Sequence, residues 1–286
     1  MEVKQEAGKT LLHIRSHYNG LTKTEQKAAQ YILEHAPEII YQSVTELASK
    51  ADVGETTVLR LCRKLKFQGF QDFKLSLAQD LVQPMDYLHT EVTEEDDPSA
   101  LTNKIITAHI QTLEQTRELV NPEELGKAID VLHHAKQIQF FGVGSSGLTA
   151  KQAAQSFLRI GKRGGASTDT HFQAVEAALL SDDSVAVGIS ISGSTKDTNE
   201  NLLLAKKAGA KVIAITSNAR SPITKIADIV LIMVARENPL SSSSLAAKIS
   251  QLSIIDLLNV GVSLRMKDQA LKFKELTAKA TSDKLY

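Results

Sequence analysis

Two stretches in the second half of the chain share a pattern that few folds can accommodate. Residues 138–141, Ile-Gln-Phe-Phe, run into Gly142-Val-Gly144-Ser145-Ser146-Gly147, and Ser184–Ile189 runs into Ser190-Ile-Ser192-Gly193-Ser194-Thr195. A helical pattern follows each. A short apolar run bounded by small residues reads as a buried strand. Residues 211–215 and 229–234 read as two more, and residues 146–160, 172–180, 197–208 and 245–264 as the helices between or after them. Strands alternating with helices predict a parallel sheet covered on both faces. In such a sheet both Gly/Ser-rich loops fall on one edge, outside the carboxyl ends of the strands, where ligands bind.

Glycines let the backbone come close to a guest, and the free N–H groups that open each following helix favour an anion. The hydroxyls of Ser145, Ser146, Ser190, Ser192, Ser194 and Thr195 can donate and accept hydrogen bonds. The chemistry that fits is a phosphate on a polyhydroxylated molecule. The first loop also fits the Gly-x-Gly-x-x-Gly dinucleotide fingerprint, with Asp169 downstream for a ribose hydroxyl. Against a dinucleotide, residues 161–168 make a poor buried strand, and the second serine cluster would have no role. Gly-x-Gly-Ser-Ser followed by Ser-x-Ser-Gly-x-Thr resembles the sugar isomerase (SIS) fold, whose members bind phosphosugars. The resemblance implies that Ser190, Ser192 and Thr195 hold the phosphate while Ser145 and Ser146 face the sugar. Members often have Gln or His between the serines of the second motif, where this chain has Ile191. Asp169-Thr-His171 precedes a helix on the same side. His171 could donate to a sugar hydroxyl, cap the helix or fill the edge of the core.

The 286 residues suffice for two domains. The net charge of 0 says nothing about partners, and the single cysteine, Cys62, allows no internal disulfide. The amino terminus lacks the apolar core of a signal peptide, and no apolar run reaches the length of a membrane span, so a cytoplasmic protein is expected. Charge is uneven: residues 81–99 carry six acidic side chains and no Lys or Arg, with Pro84 and Pro98 near the ends. A solvated linker is expected there. The predicted organisation is an all-α domain over residues 1–81, a linker over 82–98 and an α/β, flavodoxin-like domain over 99–286 with its core at about 127–266.

In the first domain, Thr22-x-x-Glu25 is a capping-box pattern opening a helix with the apolar stripe Ala28, Ala29, Ile32 and Leu33, which Pro37 breaks. Then Leu47 and Ala48 face inward, Asp52-Val53-Gly54 turns, and Val58, Leu61, Cys62 and Leu65 line the inner face of a second helix. This is helix-turn-helix spacing. Glu55, Thr56, Thr57, Arg60, Arg63 and Lys64 are expected outward. Thr56 and Thr57 lie at the amino end, where base edges are reached; Arg60 can pair with guanine, while Arg63, Lys64 and Lys66 can neutralise phosphates. Phe67, Phe70 and Phe73 are expected to close the core behind this helix. Residues 60–74, Arg-Leu-Cys-Arg-Lys-Leu-x-Phe-x-Gly-Phe-x-Asp-Phe-Lys, resemble the amino-terminal domain of RpiR-type bacterial transcription regulators. That family joins such a domain to a carboxyl-terminal SIS domain, in this order.

The resemblance implies a DNA-binding regulator of carbohydrate metabolism controlled by a phosphorylated sugar, working as a homodimer or homotetramer on a palindromic operator in double-stranded DNA. No enzyme activity or cofactor is expected, since no residues assemble a catalytic pair, and no metal, since no cluster has metal-ligand spacing. The alternative is a sugar-phosphate aldose–ketose isomerase with a helical appendage, whose candidate acids and bases are His171, Glu176 and Glu200. Ser241–Ser244 is a hydroxyl run, either a surface loop or part of a cap over the sugar.

Overall fold

The computed structural model describes residues 9–81, 92–93, 95–235 and 245–282. The linker residues Pro84, Asp86, Glu91 and Glu94 and the run Ser241–Ser244 lie outside these. The chain divides into two compact units between Ala108 and His109.

The first unit is helical. Helices α1 (Lys9–His17), α2 (Lys23–Ile39), α3 (Val44–Lys50), α4 (Glu55–Lys64) and α5 (Phe70–Leu81) enclose one core. Thr22 and Glu25 form the expected capping box, the Thr22 N–H donating to Glu25 Oε2 at 2.8 Å. Ser43 and Glu46 form a second at the start of α3. Pro37 lies inside α2, and the distortion falls at His35 (φ −124°, ψ 25°), two residues before it. The ring of a proline displaces the turn preceding it, so the kink appears upstream. Leu47, Val58, Leu61 and Leu65 are sealed in the core as expected. Phe73 is fully buried, with Phe67 edge-on to it at 5.4 Å.

Helix α6 (Pro98–Leu119) contains the point of division, and the second unit follows: α7 (Pro122–His134), β1 (Gln137–Phe141), α8 (Ser145–Arg159), β2 (Arg163–Gly165), α9 (Thr170–Ala178), β3 (Ser184–Ile189), α10 (Lys196–Lys207), β4 (Lys211–Thr216), α11 (Pro222–Ile226), β5 (Ile229–Ile232), α12 (Leu245–Met266) and α13 (Asp268–Ser282). The sheet order is β2-β1-β3-β4-β5, and every pairing is parallel. Layers of apolar side chains cover both faces. Ile138, Phe140, Val185, Val187, Ile213 and Ile215 meet α7, α8 and α12; Phe141, Ala186, Val212 and Ala214 meet α9, α10 and α11.

The stretch expected to be a poor buried strand is β2, three residues at the sheet edge. Gly164 explains why pattern failed there. Its φ is +146°, and a Cβ at this position would lie 1.7 Å from the Ile138 carbonyl oxygen. Backbone pairing therefore demands a residue with no side chain, which removes the apolar signal. Among the described residues α12 alone is long and apolar enough to cross a membrane. Its Ala247, Ile254, Ile255, Leu258 and Val262 are nevertheless buried, on a helix that packs against α7 and α8.

Candidate functional site

In the sheet order, the chain moves from β1 outward to β2 on one side and from β3 to β4 and β5 on the other. The reversal lies between β1 and β3, and a crevice at the carboxyl ends of those strands is where such folds take ligands. The two loops singled out in the sequence follow these two neighbouring strands.

The first loop turns within Gly142–Gly144. A Cβ on Gly142 would lie 2.8 Å from the Ser146 carbonyl oxygen, so only glycine permits the first turn of α8 to sit against the end of β1. Gly144 is the cap of that helix at φ +58°, with no side-chain acceptor for the opening N–H groups. Ser145 is half-buried and Ser146 is buried. The Ser146 hydroxyl accepts from Gln251 Nε2 at 3.0 Å, and Gln251 Oε1 accepts from Thr149 at 2.6 Å. Lys248 Nζ donates to Thr149 Oγ1 at 2.8 Å and to the Ser145 carbonyl. One face of α12 thus lies on the amino-terminal turn of α8 and brings an ammonium group to it.

The second loop is a small hydroxyl cage. Ser190 is buried, its hydroxyl 3.0 Å from that of Thr195. The Ser194 N–H donates to Ser192 Oγ at 3.2 Å. Gly193 sits at φ +65°, and a Cβ there would meet Ser221 Oγ at 2.1 Å. Thr195 caps α10 without a side-chain bond to its first N–H groups. Ser192 is exposed, while Ser194 and Thr195 are half-buried. An unfilled helix start with hydroxyls around it suits an anion.

The remaining expectations sort unevenly. His171 is exposed in the first turn of α9. Asp169 caps that helix, its carboxylate accepting from the Phe172 N–H at 2.9 Å, so it does not end β2 as the dinucleotide pattern requires. Burial pushes the Glu176 carboxyl above the usual range, and Gln139 Nε2 donates to it at 2.7 Å. Glu200 is on the surface, 3.7 Å from Lys196. A cavity of about 300 Å³ lies at the opposite edge of the sheet, lined by Asp130, His134, Asp182 and Lys211 among others. That is the amino edge of the strands, away from the crevice.

In the helical unit, Thr56, Arg60 and Arg63 are exposed on α4, and Glu55 is half-buried at its start. Thr57 corrects the expectation: it is buried, because it shares the inward face with Val58 and Leu61. Lys64 is exposed as expected, but it is also tethered. Its Nζ donates to the Gly20 carbonyl at 2.8 Å and to Glu25 Oε2 at 3.1 Å, tying the end of α4 to the capping box of α2. Spacing cannot reveal a bond to a residue thirty-nine positions away.

Gln173, Lys248 and Gln251 escaped the sequence reading. The available signal was a polar residue in an otherwise apolar helical stripe: Gln173 before Ala177, and Gln251 before Ile254 and Ile255.

The chain matches the helix-turn-helix domain of the rpiR family over residues 8–84 and the SIS domain over residues 131–260. An uncharacterized HTH-type transcriptional regulator of Haemophilus influenzae is 38% identical over 277 residues, 95% of this chain and 96% of that protein. A second, from Caldanaerobacter subterraneus subsp. tengcongensis, is 36% identical over 269 residues, 94% and 95% of the two chains. The structure of the Vibrio vulnificus NanR protein complexed with ManNAc-6P aligns with a TM-score of 0.87 at 27% identity, covering 97% of this chain and 99% of that one.

Proposed function

The chain belongs to the rpiR family of helix-turn-helix transcription regulators with an SIS domain, and from that premise we propose that a phosphorylated sugar, held between the loops after β1 and β3, controls its binding to operator DNA. The observation that carries this is the pairing of two hydroxyl-lined loops at the reversal point of the sheet, each opening a helix whose first N–H groups have no side-chain acceptor. The ManNAc-6P complex of NanR supports the ligand class. Ser190, Ser192, Ser194 and Thr195 would surround the phosphate, with Ser145, Ser146 and His171 toward the sugar and Lys248 adding positive charge.

On the DNA side, Thr56 and Arg60 would meet base edges, with Arg63 on the phosphate backbone and Glu55 at the helix start. Residues 1–81 form the DNA-reading domain, 82–98 the linker and 99–286 the sensor. One small recognition helix reads few bases, so a homodimer or homotetramer on a two-fold operator is part of the same proposal. So is a cytoplasmic location, where the chromosome is. A coupling of about 1–3 kcal/mol between the sites is the usual size.

Thermal-shift screening against sugar phosphates, ManNAc-6P included, tests the ligand. A ligand at one hundred times its Kd adds about 2.7 kcal/mol of stability. Ser192→Ala should leave DNA binding intact and abolish the ligand response. A response that persists places the phosphate elsewhere. Turnover of a hexose or pentose phosphate by the purified protein would favour an isomerase instead.

A further inference from the structure

All seven candidate ligand residues of the SIS unit are carried by three stretches: the β1–α8 junction, the β2–α9 connection with the first turn of α9, and the loop between β3 and α10. One side chain bonds directly into the first two and to the helix that follows the third. Gln173, on α9, is fully buried. Its Nε2 donates to the Gly142 carbonyl at 2.9 Å, in the loop after β1, and to the Ser167 carbonyl at 2.9 Å, in the β2–α9 connection. Its Oε1 accepts from Asn201 Nδ2 at 3.2 Å, on α10. Two residues before Asn201 on that helix, Asn199 Nδ2 donates to the Gly193 carbonyl at 3.2 Å, inside the third loop.

We propose that Gln173 is the positioning residue of the ligand site: a carboxamide brace that sets the two hydroxyl loops at the separation a phosphosugar requires. The chemistry selects this residue type. An amide supplies two donors and an acceptor in one plane, and here both N–H groups and the carbonyl are engaged. Glutamate offers no donor when ionised. An apolar side chain of the same length would take this donor from the buried Gly142 carbonyl and the half-buried Ser167 carbonyl, at a cost paid by loop movement. The link to each hydroxyl group is short. The Gly142 carbonyl lies in the loop that holds the first turn of α8 and Ser146, while Asn201 and Asn199 lie on the helix that opens after Thr195. A buried group whose supporting contacts are complete holds a binding geometry more closely than loops can by themselves.

This inference rests on the phosphosugar proposal for its ligand, but its structural part can be tested without one. Hydrogen–deuterium exchange of the ligand-free protein should show, in Gln173→Met, faster exchange at residues 142–147 and 190–195 together, by tenfold or more, with the helical unit unchanged. Faster exchange confined to α9 would overturn the brace. Titration with whichever sugar phosphate stabilises the wild type should then show affinity lowered at least tenfold while ligand-free operator affinity is unchanged. Wild-type affinity in a folded Gln173→Met protein would refute it. Asn201→Ala cuts only the arm to α10 and serves if Gln173→Met does not fold. It should loosen residues 190–195 but not 142–147, and loosening of neither loop counts against the proposal. A wild type that binds no sugar phosphate, together with concerted faster exchange in Gln173→Met, would sink the ligand assignment and leave the brace standing.

Discussion

Lys74 shows what burial does to a single charge. It lies in the core of the helical unit, its ammonium donating to the Gln42 carbonyl at 2.8 Å, and desolvation lowers its pKa to about 8. In the unfolded chain a lysine titrates near pH ~10.4. Between those values the unfolded state binds more protons, so stability rises with pH across that window and is flat below it. Relative to Lys74→Met, wild-type stability should therefore increase from pH 8 toward 10, measured by urea denaturation at each pH. A flat difference would mean the ammonium is hydrated. Cys62 is the complementary case. Burial pushes its thiol up to about 12, so at pH 8 it stays protonated. Only the thiolate is nucleophilic. A thiol reagent should find no reactive group in the native protein and one after denaturation. Neither shift was legible in the sequence, where Lys74 looked like any charged residue, because the cause is the environment and not the residue type.

At the scale of elements, the Thr22–Glu25 capping box was readable and the anchoring of α4 was not. Thr22 and Glu25 stand three residues apart, and helix geometry alone brings them together. Glu25 is also the acceptor for Lys64, and its carboxyl is held below the usual range first by the Thr22 N–H. Thr22→Ala should cost about 1 kcal/mol of stability in the helical unit, read from thermal unfolding. Lys64→Met should lower operator affinity without reducing its salt dependence, because Lys64 acts by orienting α4. A phosphate contact would reduce the slope of log affinity against log salt by about 1. In the SIS unit, Gly193→Ala meets two penalties, a positive φ and the Ser221 hydroxyl 2.1 Å from the new methyl. The expected result is loss of phosphosugar binding with the sheet intact, monitored by thermal shift and far-UV circular dichroism. Strand β2 could not be read, because Gly164 is required by backbone proximity and carries no apolar pattern.

For the whole molecule, DNA binding and ligand binding belong to different units and should separate by mutation. Arg60→Ala is expected to weaken operator binding by about 1–3 kcal/mol while sugar-phosphate binding is retained, compared by fluorescence anisotropy and thermal shift. Equal loss of both would mean that the substitution unfolds the protein. The order of the two units, the helix-turn-helix spacing of the first and the parallel sheet of the second, with its two Gly/Ser-rich loops, were all legible in the sequence alone. Each rests on spacing within about twenty residues, where helix and strand periodicity decide which side chains share a face. Tertiary structure alone decided that Thr57 turns inward, that Lys64 is tethered to α2, that β2 forms the edge, and that Gln173 and Gln251 bind the loops. Those outcomes depend on which distant backbone groups come within hydrogen-bond reach. That is a property of how elements pack, and no local pattern encodes it.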